Sequence, residues 1–316
     1  MLKMIKSKII NIFPFLRELL LYLSLKLNKK NINEYKNRNL RVAILKYYSD
    51  KLKQKMEEIN YQQGILVFDN KVYALSEGVF LNTKGNNRYF KVPGGCPGNQ
   101  GREMYNFLIS RNIQVNTMID LGANLGEITL YFCKQNPKIK ILAVEASPEN
   151  FEILKSNCKF QYFFTDNIIL VNEAVSDQNG EIEISSGLGS ENTIMLDGSF
   201  GANVKRKKVK AETLVALLER YNLDSIDFLK IDIEGSEPLL YGSLIKIISG
   251  IKSLIIEISH ENRKDYFPLI ELFIKSGMNC FLSDGAELSS DKIFNYIMES
   301  TKGVDLWFIK EQTNNL

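Results

Sequence analysis

The stretch IDLGANLGEITLYF, residues 119–132, decides the fold. An apolar run holding one carboxylate, Asp120, breaks at Gly122 and again at Gly126, and residues with helical period follow. Strand, glycine turn and helix in that order open a βαβ unit whose loop receives a nucleotide-like ligand. The spacing is G-x-x-x-G, because a dinucleotide loop would need glycine where Asn124 and Glu127 stand. Asp120, just ahead of the turn, would repel a pyrophosphate and attract a cation. Gly122 and Gly126 are expected to let the backbone approach the ligand closely.

Working outward, the next apolar run ends in Val144, Glu145, Ala146, Ser147 and Pro148, with Glu145 19 residues past Gly126. An acid at about that distance accepts hydrogen bonds from both ribose hydroxyls in this architecture. S-adenosylmethionine carries an ammonium and a sulfonium and no phosphate, so it meets both conditions. Asp120, Gly122, Asn124, Gly126, Glu145 and Ala146 are therefore the candidate cofactor-binding residues. Glu173 and Ala174, at the end of a third run, are candidates for the adenine end, where Glu173 or the nearby backbone would read the amino group.

The rest of the chain alternates with a regular beat. Strands are expected at Thr117–Leu121, Ile139–Val144, Ile168–Asn172, Phe228–Ile233, Ser253–Ile258, Cys280–Ser283 and Asp305–Ile309. After a helical run at Arg102–Ser110, helices are expected at Gly126–Gln135, Pro148–Cys158, Ala211–Tyr221, Glu237–Ile248 and Tyr266–Gly277. The pattern predicts an α/β fold: a doubly wound, mostly parallel sheet with helices on both faces, whose ligands bind beyond the carboxyl ends of the strands.

The pieces IDLGANLGEITLYF (119–132), VEASPENFEILKSN (144–157), NEAVSDQNGEIEI (172–184), LKIDIEGSEPLLYG (229–242) and IIEISH (255–260) resemble the FkbM family of S-adenosylmethionine-dependent methyltransferases. The most specific is the K-I-D-x-E-G-x-E string, taken together with the glycine loop. The likeness covers about residues 100–285. It implies a class I methyltransferase-like, seven-stranded sheet with a final antiparallel strand. It also implies O-methylation of a hydroxyl in a sugar, a surface polysaccharide or a related natural product.

Such a transfer needs donor and acceptor held together and the acceptor hydroxyl relieved of its proton. The fourth and fifth strand ends supply Asp232, Glu234, Glu257 and His260 as catalytic candidates. Asp232 would contact the cofactor's methionine end or the acceptor hydroxyl, and Glu234 or His260 would act as base. The carboxylates there could instead hold a divalent cation, although no metal-ligand set stands out. Lys230 shares a strand face with Asp232 and reads as an ion-pair partner. Glu237 reads as an acid supporting the start of the following helix.

The chain has 316 residues, 45% hydrophobic, and a net charge of only +3, which excludes a disordered tail. That average hides an asymmetry. Residues 1–60 hold 14 Lys and Arg against five Asp and Glu, an excess of +9, so the remainder carries −6. Residues 1–60 read as a basic helical arm that includes a second helix at 41–60. Residues 61–99 read as a small β-hairpin region and linker, and 100–316 as the cofactor-binding domain. Ile9–Leu27 is interrupted by Pro14, Arg17, Glu18 and Lys26, so it reads as an amphipathic helix packed on a partner or the body, or in peripheral membrane contact through residues 1–30. No signal peptide is evident. The four scattered cysteines, Cys96, Cys133, Cys158 and Cys280, suit a reducing cytoplasm as apolar fillers.

The run Lys205, Arg206, Lys207, Lys208, Lys210 reads as an exposed edge strand guarded against aggregation, or as a surface for an anionic acceptor. Residues 186–203 read as a mobile loop over the site. A glycan or small-molecule acceptor is expected and no nucleic acid, since no base-flipping motif follows strand four. A homodimer and a catalytically silent tethered module stay open as alternatives.

Overall fold

In a computed structural model of the chain, the residues described are 56–60, 65–68, 71–76, 79–82, 99–160, 166–186 and 205–310. Four short strands, β1 (Met56–Asn60), β2 (Ile65–Phe68), β3 (Lys71–Ser76) and β4 (Val79–Asn82), form an antiparallel meander in sequence order. The hairpin expected over 61–99 is therefore one part of a larger unit. Met56–Asn60, expected as the end of a helix, is its first strand, paired with β2. Pairing with β2, irregular between Met56 and Glu58, overrides the helical pattern of the lysines before it. The remainder of the basic arm, residues 1–55, lies outside the described residues. No helix among the described residues is long and apolar enough to cross a membrane.

Helix α1 (Asn99–Ser110) leads into the main sheet. Its elements are β5 (Thr117–Leu121), α2 (Glu127–Gln135), β6 (Lys140–Val144), α3 (Pro148–Phe160) and β7 (Ile168–Val171). A side excursion follows through β8 (Ala174–Ser176), β9 (Gly180–Ser186), β10 (Lys205–Thr213) and α4 (Leu214–Arg220). The chain then returns as β11 (Phe228–Ile231), α5 (Tyr241–Ile247), β12 (Ser253–Ile258), α6 (Phe267–Lys275), β13 (Met278–Phe281), β14 (Glu287–Leu288), α7 (Ser290–Glu299) and β15 (Val304–Lys310). The strand order is β14-β13-β15-β12-β11-β5-β6-β7. Strands β7, β6, β5, β11 and β12 run parallel, and β15 is antiparallel to both its neighbours. The two-residue β14 makes an eighth strand where seven were expected, closing a hairpin on β13.

Strand periodicity assigns each face its helices. Ile119, Leu121, Leu229, Ile231, Leu254 and Ile256 share one core with α4, α5, α6 and α7. Met118, Phe228, Ile255 and Trp307 share the other with α1, α2 and α3. On that second face Phe228 is stacked between Phe132 (5.4 Å) and Trp307 (5.7 Å), each pair adding about 0.5–1.5 kcal/mol beyond its buried area. Cys133, Cys158 and Cys280 are buried free thiols, and burial pushes Cys133 and Cys280 up to about 12, as inert fillers require. Cys96 lies outside the described residues.

Two expectations change. The helix expected from Ala211 starts at Leu214, because 211–213 complete β10 and the Thr213 side chain caps the helix by accepting from the Ala216 N–H (3.3 Å). The helix expected over Glu237–Ile248 is interrupted: Pro238 sits in a 3-10 turn, Glu237–Leu240, before α5 begins. The basic run lies on β10, where Lys205–Ala211 pair with β9 alone and only Ala211–Thr213 also pair with β8, so the run keeps one open edge, as expected. The loop expected over 186–203 lies outside the described residues apart from Ser186, which ends β9.

At the amino end of the sheet, Asp227 is buried and accepts the N–H groups of Asn116 (2.8 Å) and Thr117 (3.0 Å) and the Lys252 ammonium (2.6 Å). Burial pushes its pKa up, but Lys252 and the two amides outweigh that and hold it below the usual range. Asp227→Ala should cost about 1–3 kcal/mol in urea denaturation, since two part-buried N–H groups and the Lys252 ammonium lose their acceptor. A depressed folded pKa stabilises above the unfolded value of about 3.9 and is lost as pH falls through the folded one. The difference between wild type and variant should therefore narrow below about pH 4.

Candidate active site

Two loops cross at the carboxyl ends of β5 and β11. After β5 the chain turns so that the Gly122 and Ala123 N–H groups donate to the Val144 carbonyl (3.0 and 2.9 Å), while the Asp232 N–H donates to the Leu121 carbonyl (3.2 Å). Gly122 has φ +75°, and a Cβ there would lie 1.8 Å from the Asp232 carbonyl oxygen. Gly126 has φ +91°, and its Cβ would lie 2.6 Å from Leu154 Cδ1. Gly122 is thus required by a backbone contact within the protein, and Gly126 by its left-handed backbone. Gly122 also lines the cleft, whereas Gly126 sits behind it against α3, so its expected direct approach to the ligand is corrected.

Asp120 is corrected in the same way. It is fully buried, accepts the Thr129 hydroxyl through one oxygen and holds Lys230 at 3.5 Å through the other, away from the cleft. Its position on β5 turns it under α2, the face that also carries Met118. Lys230, 3% exposed, donates to the carbonyls of Leu121 (3.2 Å) and Gly122 (2.9 Å) and contacts Asp232 at 3.1 Å. Burial pushes its pKa down, but Asp232 and Asp120 outweigh that and hold it above the ordinary value, so it stays charged. The ion-pair reading of Lys230 holds, with two carboxylates where one was expected.

The cleft spans about 600 Å³ counted out to its open mouth. Glu145 lines one wall, 7% exposed, with one carboxylate oxygen accepting the Asn124 N–H (2.8 Å) and the other the Ser147 N–H (2.9 Å). Burial pushes its pKa up while those two amides pull it down. A carboxylate has about four acceptor positions, so the two amides orient Glu145 and leave capacity for a diol. The Asn172 side-chain amide donates to the carbonyls of Glu145 (2.8 Å) and Ala146 (3.2 Å), bracing this wall; only its place at a strand end marked it in the sequence. Asn150, on the first turn of α3, also lines the cleft, and its N–H donates to the Ser147 hydroxyl (3.3 Å).

The Glu173 side chain, expected as an adenine reader, is held instead by basic residues. Its carboxylate takes Arg220 through both oxygens (3.1 and 3.0 Å) and Lys210 at 2.9 Å. Burial raises its pKa, but Arg220 and Lys210 outweigh it and hold it below the usual range. The backbone of Glu173 and Ala174, with Val175 and Ile184, is left to form that end of the cleft.

At the other end stand Asp232, Ile233 and Glu234. Glu234 has φ +57°, a left-handed conformation uncommon for glutamate and of the kind that collects at functional sites. Glu237 is buried, accepts the Ile233 N–H (2.8 Å) and the Tyr266 hydroxyl (2.7 Å), and is pushed up to about 7 by burial. It thus fixes the 232–236 loop, a larger role than an acid at a helix start. Glu257 reaches Asp232 from the neighbouring strand. His260 is exposed on the loop beyond β12 and, like Glu257, does not line the cleft, whereas Asp232 and Glu234 do.

The donor set fits S-adenosylmethionine. Carboxylates stand at both ends of the cleft, and no lysine or arginine is among the described residues lining it. Glu145 would take the ribose, the 173–175 backbone the adenine, and Asp232 the cationic end. No group of three or more His, Cys, Asp or Glu among the described residues is arranged to hold a metal ion, so the divalent cation has no support here.

The order β7-β6-β5-β11-β12-β15-β13, with β15 reversed, is that of the class I methyltransferases. A model of the methyltransferase FkbM domain matches residues 120–279, half of the chain, and the chain belongs to that family. Solved structures similar to it include Geobacter metallireducens precorrin-6y C5,15-methyltransferase (12% identity, TM-score 0.37, 66% of this chain and 87% of that one). Others are the Methanococcus jannaschii fibrillarin pre-rRNA processing protein (14%, 0.38, 82% and 99%) and an O-methyltransferase from Bacillus cereus in complex with SAH (11%, 0.38, 66% and 80%). No curated protein matches the sequence.

Gly122→Ala should weaken S-adenosylmethionine binding at least about tenfold in titration calorimetry, because the Asp232 carbonyl must move to admit the new Cβ. Gly242→Ala, with nothing within 4 Å of its Cβ and no positive φ, should leave binding unchanged.

Proposed function

We propose that this methyltransferase is an O-methyltransferase that modifies a hydroxyl of a sugar, a surface polysaccharide or a related natural product. The observation that carries this reading is Asp232. Its side chain is 37% exposed at the cleft wall, and Lys230 pins it from beneath, while Glu234 and Glu257 stand beside it. A carboxylate held at a fixed place beside a cationic donor can orient a hydroxyl by accepting its proton in a hydrogen bond. S-adenosylmethionine, when bound, supplies a methyl group activated by the sulfonium. The chain's own residues orient the ribose through Glu145, hold the cationic end near Asp232 and present acceptors for the hydroxyl proton. The acidic lining favours an uncharged polyhydroxyl acceptor over an anionic one. The basic run does not alter this, since Arg206, Lys207 and Lys210 already pair with Glu183, Glu149 and Glu173.

Glu145→Ala should weaken S-adenosylmethionine binding about 10- to 100-fold in calorimetry, the worth of one or two charge-assisted hydrogen bonds. Asp232→Asn should leave the circular dichroism spectrum intact and lower turnover at least about 100-fold. The readout is mass spectrometry of cell-surface glycans and lipids from a deletion strain complemented with each gene. One methyl group should be lost in the deletion and in Asp232→Asn, and restored by wild type; its presence in all three would place the chemistry elsewhere.

A further inference from the structure

Strand register builds a row of carboxylates that the cofactor contacts alone do not use. Asp120 faces Lys230 across β5 and β11, Lys230 faces Ile255 on β12, and Ile255 faces Trp307 on β15. Two residues further on, and so on the same face, come Gly122, Asp232, Glu257 and Asp305. Glu257 and Asp305 are themselves paired positions, and Glu257 is within hydrogen-bonding reach of Asp232. The turn before β15 approaches Glu257 closely, since a Cβ on Gly303 would lie 3.4 Å from its Oε1. Glu257 is thus faced by Asp232 and Glu234 from the β11 loop, by Asp305 from β15, and by Tyr266, which donates to Glu237, from the segment before α6. The nearest buried cation, Lys230, is already shared between Asp120 and Asp232.

We propose that Glu257 is the proton store of this row: with the cleft empty its carboxyl is neutral and donates a hydrogen bond to Asp232, and a cationic cofactor in the cleft drives the proton out to solvent. The inference rests on the S-adenosylmethionine reading above. Burial, followed by the charges of Asp232, Glu234 and Asp305, pushes Glu257 up to about 9, in agreement with that geometry. A positive charge beside the row favours the ionised form, so binding releases a proton and affinity rises with pH until the empty protein itself ionises. The vacancy left on Glu257 takes up, through Asp232 at the cleft wall, the proton the hydroxyl gives up as the O–C bond forms and the C–S bond breaks.

The test uses the full chain carrying glutamate labelled with carbon-13 at the side-chain carboxyl. The resonance absent from Glu257→Gln should titrate above pH 7, near 9; a midpoint below 7 overturns the proposal. Calorimetry with S-adenosylmethionine then compares wild type and Glu257→Gln at pH 7 and pH 9, which cancels titration of the cofactor's own amino group. Wild type should gain at least about fivefold in affinity relative to the variant, and equal pH slopes overturn the proposal. If S-adenosylmethionine binds neither protein, the cofactor reading falls, and the proton release with it, while the resonance still decides whether Glu257 is neutral.

Discussion

Lys230 is the charge on which the site is built. An ammonium 3% exposed would be strongly unfavourable alone, and here two carboxylates and two carbonyls meet it. Those partners belong to the carboxyl end of β5, its glycine turn and the loop after β11. One side chain therefore ties the two central strands together at the level where the cleft begins. The crossing at Gly122 follows from it, since a turn drawn toward Lys230 runs against the Asp232 backbone with no room for a Cβ.

A second cluster holds the far end of the cleft. Arg220 closes α4 and bonds Glu173, and it also contacts Glu212 on β10 at 3.0 Å. The small sheet β8-β10-β9 is thereby fastened to the end of β7 by charge, and its Ile184 completes the cleft wall. The acids at this end are neutralised by basic residues, whereas at the Asp232 end carboxylates outnumber cations. The cleft is therefore electrically graded from a balanced end at Glu173 to an acidic end at Asp232, a polarity that suits a ligand with its charge at one extremity.

Much of this was legible in the sequence, and the misses have physical reasons. The central strands were legible because they are apolar on both faces and bounded by turn residues: Thr117–Leu121 and Ser253–Ile258 stand where they were expected. Glu145 was legible from spacing. Asp120 was misread because a period of two says which residues share a strand face, while only the register with Lys230 says what that face meets. Glu173 was misread because its partners lie 37 and 47 residues away, on elements brought near by the small sheet. That sheet was itself half hidden, since only the last three residues of β10 reach β8 and its lysines pair with β9 alone. Helix α7, absent from the sequence reading, has only a narrow apolar stripe through Ile293 and Ile297.

Trp307 is the chain's single tryptophan, and it lies 3% exposed against Phe228, two residues along β15 from Asp305. Directly beside it on the sheet, Ile255 separates it from Lys230. The molecule therefore carries one indole fluorophore, which long-wavelength excitation separates from the 14 tyrosines, set into the floor beneath the carboxylate row. Its emission reports the packing of that floor with no contribution from a second indole, which makes the native protein its own optical gauge of the site's foundation.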